Sequence, residues 1–309
     1  MPAHYTPYQQ FISRFFTCHI RKLPIDVGSS CPVRDGTKGR EGCSFCNGRS
    51  FVTAASDRAR SVACQLAAGK LFYRRQIAAH PDTAFLAYFQ AGSNTYAPVS
   101  HMVPLFEEAL SVEGVRGLVL ATRPDCLSSE WLDYLARLGR DTFVMVELGV
   151  ESLNDDTLRA VGRGHTVEQS AWAVQSLAER AVPVGIHLLF GLPGDDCGQM
   201  CRWSREVSRW PVDVLKLHQL QILQGARMAG EYAAHPERFR LFTPREYVSL
   251  VVDFLEGLSP RIAVERFVSQ APPGTLLAPR WGMKNDDVLR LIEQELMRRG
   301  TFQGKKFVL

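Results

Sequence analysis

No apolar run in this 309-residue chain reaches the roughly 18 residues that a membrane-spanning helix needs. A helical membrane protein is thereby excluded. The first residues show no secretory signal pattern, so the expected location is the cytoplasm, where thiols stay reduced. The chain has only eight cysteines, and Cys18, Cys64, Cys126, Cys197 and Cys201 are scattered along it. A disulfide framework is therefore not expected. Cys197 and Cys201 stand four apart on an expected helix, where they read as small apolar packing residues. Internal repeats and low-complexity segments are also missing.

What is present is an ordinary globular composition, 46% hydrophobic and 22% charged. The length suffices to bury a large core as one barrel-sized domain, with or without an extension. Net charge is only +4, but it is unevenly placed. Residues 14–75 hold twelve Lys or Arg against Asp26, Asp35, Glu41 and Asp57, a local surplus of +8. Such a surplus suits a polyanion such as RNA, and it equally suits solvated helix faces.

Apolar stretches of strand length alternate with helical patterns, as in βα units around a parallel sheet. The expected strands are 23–27, 84–89, 117–122, 142–150, 184–190 and 214–220. Helices are expected near 56–79, 99–111, 128–138, 166–181, 195–209 and 243–257. Ser128, Thr166 and Thr243 are set to cap three of them, with Pro244 in the first turn of the last. Six such units give an α/β fold, a partial (β/α)6 TIM-type barrel over residues 1–257 that leaves one side open. Residues 258–309 read as a C-terminal α+β extension closing that side. It has a strand-like 262–268, a Pro/Gly loop at 271–274 and a helix near 284–299.

The first expected strand leads into Cys31-x11-Cys43-x2-Cys46, three soft ligands in a loop rich in Gly and charge. A structural zinc site wants four ligands, and only Cys18 and His19 lie near enough in sequence to add one. A [4Fe–4S] cluster held by three cysteines keeps one iron free for a small molecule. Spacing alone leaves zinc, a redox pair and a cluster all open.

In barrels of this kind, functional groups gather at the C-terminal ends of the strands. There the sequence places Gln90-Ala91-Gly92-Ser93-Asn94, Thr122-Arg123-Pro124-Asp125, Glu147-Leu148-Gly149-Val150-Glu151-Ser152 and Gly162-Arg163-Gly164-His165-Thr166. The fifth strand runs from His187 into Gly191-Leu192-Pro193-Gly194, and the sixth carries Leu215-Lys216-Leu217-His218. Each segment alone is a weak signal, but the ordered set is much stronger. With the closing Ala278-Pro279-Arg280-Trp281 and Arg299-Gly300-Thr301-Phe302-Gln303-Gly304-Lys305, the chain resembles the radical SAM enzymes over nearly its whole length. Among them it is similar to the bacterial YhcC-like proteins and their MnmL-type relatives. It is more distantly similar to the radical SAM domain of the Elongator catalytic subunit. No acetyltransferase segment follows, so the acetyl-CoA reaction of that subunit is not expected.

The resemblance implies that Cys31, Cys43 and Cys46 ligate a [4Fe–4S] cluster whose free iron binds S-adenosylmethionine (SAM). An external one-electron donor such as flavodoxin or ferredoxin would reduce it. The resulting 5′-deoxyadenosyl radical would abstract a substrate hydrogen, and no catalytic side chain is assigned. Phe45 would pack near the adenine, and Gln90, Ser93 and Asn94 stand where relatives meet the SAM amino group. Glu151 is expected toward the ribose and Arg163 near the carboxylate, with Thr122 and Leu192 as further contacts. Ala121 replaces an acidic residue of the related pattern. The expected substrate is tRNA at its wobble uridine, with Arg34, Lys38, Arg40, Arg49, Trp281 and Lys305 as candidate contacts. A small metabolite or a protein partner is the alternative substrate, and a non-enzymatic zinc or iron–sulfur module the alternative class.

Overall fold

The computed structural model describes residues 4–48, 56–272 and 274–308. After a short helix α1 (Tyr8–Ile12), the strands and helices alternate: β1 (Ile20–Ile25), α2 (Val62–Phe72), α3 (Arg74–Ala79), β2 (Ala84–Phe89), α4 (Val99–Ser111), β3 (Val115–Thr122), α5 (Ser129–Asp141) and β4 (Phe143–Glu151). Then come α6 (Asp155–Ala160), α7 (Val167–Ala178), β5 (Val184–Phe190), α8 (Cys197–Val207), β6 (Val214–Gln219) and β7 (Ile222–Leu223). The chain closes with α9 (Arg227–Ala234), α10 (Pro244–Gly257), β8 (Ala263–Arg266), β9 (Leu276–Ala278) and α11 (Asn285–Arg299).

Seven strands form one parallel sheet in the order β1-β2-β3-β4-β5-β6-β8. The seventh, β8, lies within the strand-like segment 262–268 and pairs with β6, so the sheet has one strand more than the six read from the sequence. This is a curled, partial TIM-type barrel. Residues 258–309 share its core: Val288, Ile292 and Leu296 of α11 pack in the same cluster as Leu250 and Phe254 of α10. β7 and β9 form a separate antiparallel pair.

Alternation along the strands divides the interior. Leu23, Phe85, Leu118, Val144, Ile186 and Leu215 face the helices in the main core. Leu86, Tyr88, Val119, Met145 and Val214 face inward, where Phe11 and Ile12 of α1 close one end of the lumen. Burying aliphatic side chains of this size stabilises the fold by about 1.5–3 kcal/mol each. Side chains span the gap between the two edge strands, since Lys22 of β1 reaches Glu265 of β8 at 2.5 Å.

The expected helix at 56–79 is two helices, α2 and α3. Ser128 caps α5, and Thr166 and Thr243 form capping boxes at α7 and α10. Each satisfies amide groups that helix geometry leaves open, worth about 1 kcal/mol. No helix among the described residues is long and apolar enough to cross a membrane.

Candidate active site at the strand ends

The loop after β1 brings Cys31, Cys43 and Cys46 to the C-terminal rim of the sheet. Tight turns shape it: the Lys38 amide donates to the Pro32 carbonyl at 2.7 Å, and the Gly42 amide to Val33 at 2.8 Å. Cys43 is buried, while Cys31 and Cys46 are half-buried.

Each sulfur faces its own guanidinium. Arg34 donates to the Cys46 sulfur at 3.2 Å and to its carbonyl at 2.8 Å. Arg163 reaches the Cys43 sulfur at 3.5 Å, and Arg123 lies 4.0 Å from that of Cys31. Burial pushes the Cys46 thiol up, and Arg34 opposes that rise. Such positive partners favour the thiolate, which is the ligating form.

The arginines are themselves fixed. Arg123 forks onto Asp125 at 2.9 and 3.0 Å and donates to the Arg163 carbonyl at 2.5 Å. Burial raises the Asp125 carboxyl, but Arg123 and Lys38 outweigh it and hold the group below its ordinary range. Arg163 donates to the Gly149 carbonyl at 2.5 Å and to His165 at 3.0 Å, with Glu151 at 3.6 Å. A side chain at residue 149 would collide with this arrangement, its Cβ falling 2.4 Å from the Arg163 guanidinium. Glu151 ends β4 beyond a bulge with φ +71°, a conformation that a non-glycine residue adopts at a cost of about 1–3 kcal/mol.

The other expected SAM contacts gather on the same rim. Phe45 packs against the apolar cluster that contains Leu192 and Leu189. Gln90 directly follows β2, and its amide donates to the Ile25 carbonyl at 3.2 Å. The buried Ser93 donates its amide to the Ser30 carbonyl at 3.1 Å. Thr122 is buried, its hydroxyl 2.7 Å from that of Thr95. Asn94 is fully engaged within the protein: its amide donates to the carbonyls of Phe89 and Ala121 at 2.8 and 2.9 Å, and its oxygen accepts from Ser29 at 2.9 Å. Ala121 thus takes part through its carbonyl.

Among the proposed RNA contacts, several carry internal partners that the sequence did not reveal. Lys38 pairs with Asp125 at 2.6 Å, Lys305 donates to the Gly300 carbonyl at 2.9 Å, and the Trp281 indole donates to the Phe242 carbonyl at 2.8 Å. Arg34 is held by Cys46. Arg40 is exposed. Arg49 lies outside the described residues.

The rim also recruits groups that sequence reading passed over. Arg123 sits inside the quoted Thr122-Arg123-Pro124-Asp125 segment, and its burial was the missing fact. Glu147 and Lys216 also lie inside quoted segments, and with Lys22 of β1 they are charged residues within sheet strands whose meeting in the lumen the sequence did not reveal. No three His, Cys, Asp or Glu side chains among the described residues converge as a single-ion site requires. A [4Fe–4S] cluster places each cysteine on a different iron. Three thiols without an imidazole or carboxylate fourth, each beside a positive charge, fit that group and not tetrahedral zinc.

An open parallel barrel with a three-thiol loop on its C-terminal rim defines a class of enzymes that couple an iron–sulfur cluster to a small cofactor. Sequence comparison agrees with the geometry. The profile of the Radical SAM superfamily matches residues 36–202, and that of the Radical_SAM C-terminal domain matches residues 212–298. The chain is 34% identical to the YhcC protein of Escherichia coli over 87% of its own length and 85% of that protein. It is 24% identical to the tRNA uridine(34) acetyltransferase of Methanocaldococcus jannaschii, over 59% of this chain and 33% of the longer one. The solved archaeal Elp3 of Methanocaldococcus infernus shares the fold, with a TM-score of 0.71 at 15% identity over 93% of this chain and 65% of that one. The chain belongs to the radical SAM superfamily and is a radical SAM enzyme. Membership implies a [4Fe–4S] cluster and SAM.

Proposed function

We propose that Cys31, Cys43 and Cys46 hold the cluster, that the surrounding rim holds SAM, and that the enzyme modifies the wobble uridine of tRNA. The observation that carries the assignment of the ligands is the pairing of each cysteine sulfur with a separate guanidinium. When bound, the cluster and SAM supply a 5′-deoxyadenosyl radical that takes a hydrogen atom from the substrate. The protein's own work is positioning and exclusion.

Arg163 and Glu151 orient the carboxylate and ribose ends of SAM, and Phe45 and Leu192 pack its adenine. Gln90, Ser93 and Thr122 line the amino-group side, while Asn94 shapes that loop through its bonds to the backbone. Phe11 and Ile12, closing the far end of the lumen, keep that end free of water. A flavodoxin or ferredoxin supplies the electron. The tRNA reading is supported by the basic segment 14–75 and by the similarity to a tRNA uridine(34) acetyltransferase. Phosphate contacts would supply affinity, and the target base would leave its stack to reach the lumen.

Anaerobic reconstitution tests the first part: about four irons per chain and dithionite-dependent SAM cleavage are expected. Stoichiometric zinc with no SAM turnover would overturn it. Mass spectrometry of tRNA nucleosides from cells with and without the gene tests the second. A change confined to 5-substituted uridines is expected, and identical profiles would redirect the reading to a metabolite or protein substrate.

A further inference from the structure

Inside the barrel lies a charged layer that the roles above leave unused. Glu147 of β4 is buried and accepts from Lys22 at 2.6 Å, Lys216 at 2.7 Å, Tyr88 at 2.6 Å and His187 at 3.0 Å. Glu265 of β8 pairs with the same two lysines, at 2.5 and 3.2 Å. Two carboxylates thus neutralise two ammonium groups.

A third cation joins them. The sheet register shifts between Leu215 and Lys216, so that Lys216 pairs with Arg266 instead of the next residue in line. A bulge of this kind turns two successive side chains toward one face, which brings Arg266 to the same side as Glu265. Arg266 is half-buried and has no ion pair or side-chain hydrogen bond among the described residues. Its charge is felt throughout the layer. Burial and the charges of Lys22 and Arg266 hold the Lys216 ammonium below its ordinary range despite two neighbouring carboxylates.

His218 stands two residues beyond Lys216 on the same face of β6, nearer the rim. Its ring stacks on His187 with centroids 5.4 Å apart. Its Nε2 is buried without a partner among the described residues, a state that a closed interior disfavours. Burial and the neighbouring cations keep the ring neutral, well below its ordinary range. A guanidinium without an ion pair, whose charge acts on an unsatisfied imidazole, supplies the donor set of an anion site.

We propose that Arg266 and His218 form an oxyanion site in the lumen that takes a carboxylate or phosphate group of the substrate. Arg266 supplies the charge and the planar donors, and His218 donates from Nε2. The charged layer behind them fixes both: His187 is anchored by Glu147, and Glu265 neutralises the lysines so that the surplus stays on Arg266. The assignment does not depend on whether the substrate is RNA.

The test uses the reconstituted full chain with SAM bound, dialysed at low ionic strength against radiolabelled acetate or radiolabelled inorganic phosphate. One equivalent of one of these anions is expected per chain. Binding should weaken by about tenfold or more in Arg266→Gln and in His218→Gln, and should largely return in Arg266→Lys. Iron content and SAM retention should match the parent protein, which also shows that the variants fold. Retention of acetate marks a carboxylate-bearing substrate, and retention of phosphate marks a phosphate-bearing one. Three results would overturn the site: neither anion retained, equal retention by the parent and Arg266→Gln, or loss of SAM in parallel with the anion. A gel shift with unmodified tRNA reports separately, since a chain that ignores tRNA yet holds an anion loses the RNA reading alone.

Discussion

Replacing Glu147 with Gln removes one negative charge from the centre of the lumen while keeping the side chain's shape. Lys22 and Lys216 would then share Glu265 alone, and the new amide would turn donor groups toward two ammonium ions. Breaking a buried pair by removing one partner costs about 3–5 kcal/mol, because the remaining charge stays out of water. For a domain near this size that corresponds to a fall in Tm of roughly 10 °C. Urea unfolding and calorimetry of the parent and Glu147→Gln measure it. A double variant, Glu147→Leu with Lys216→Met, should be less destabilised than the single one, since removing both members of a pair leaves less uncompensated charge. The acid limb gives a second readout. Lys216 and Lys22 outweigh burial and hold the Glu147 carboxyl well below its ordinary range. Its contribution is therefore complete above the unfolded value of about 4.3 and disappears as pH falls through the lower folded value. Glu147→Gln should lose less stability than the parent over that window. A loss under about 1 kcal/mol near neutral pH would refute the view that this layer is an interdependent buried network.

Other outcomes follow from the rim. Arg163→Lys cannot reproduce three divergent contacts with one ammonium group, so it should lose about 2–3 kcal/mol and retain less iron after reconstitution, as read by unfolding and iron assay. Gly92→Ala would place a Cβ 2.1 Å from the Ser29 carbonyl at a position with φ +75°. It should destabilise the chain by about 3 kcal/mol and weaken SAM retention in equilibrium dialysis. Burial, then Arg163 and Arg123, push His165 down to about 3. The folded ring stays neutral where the unfolded one takes a proton. Stability should decline as pH drops from about 6.5 toward that value, and His165→Gln should flatten the decline in urea titrations at stepped pH.

Much of the fold was legible because local pattern and tertiary role coincide. Ala84–Phe89 and Val184–Phe190 are short, mostly apolar runs of strand length that read as buried strands. The caps at Thr166 and Thr243 were equally readable, since a capping box is written in four consecutive residues. β8 was visible as a strand, but its place as the seventh member of the sheet was not. That depends on which edge a distant segment reaches. The same limit explains Lys38 and Trp281: a cation or an aromatic in sequence carries no mark of the Asp125 or Phe242 partner that three-dimensional packing supplies.

The sequence by itself determined the chemistry of the rim. Cysteine spacing alone left the metal open, and the resemblance of the ordered loop segments to the radical SAM enzymes identified the cofactor class, because each motif is written in a few consecutive residues. Tertiary structure alone decided which guanidinium faces which sulfur. It also decided that Lys22, Glu147, Lys216 and Glu265, separated by up to 243 residues along the chain, meet in one lumen. Curling the sheet is what brings its edges together, and a one-residue bulge sets Arg266 opposite Lys216, where its charge acts on the layer. Charge balance in a buried space is a property of that assembled volume, so no stretch of sequence contains it.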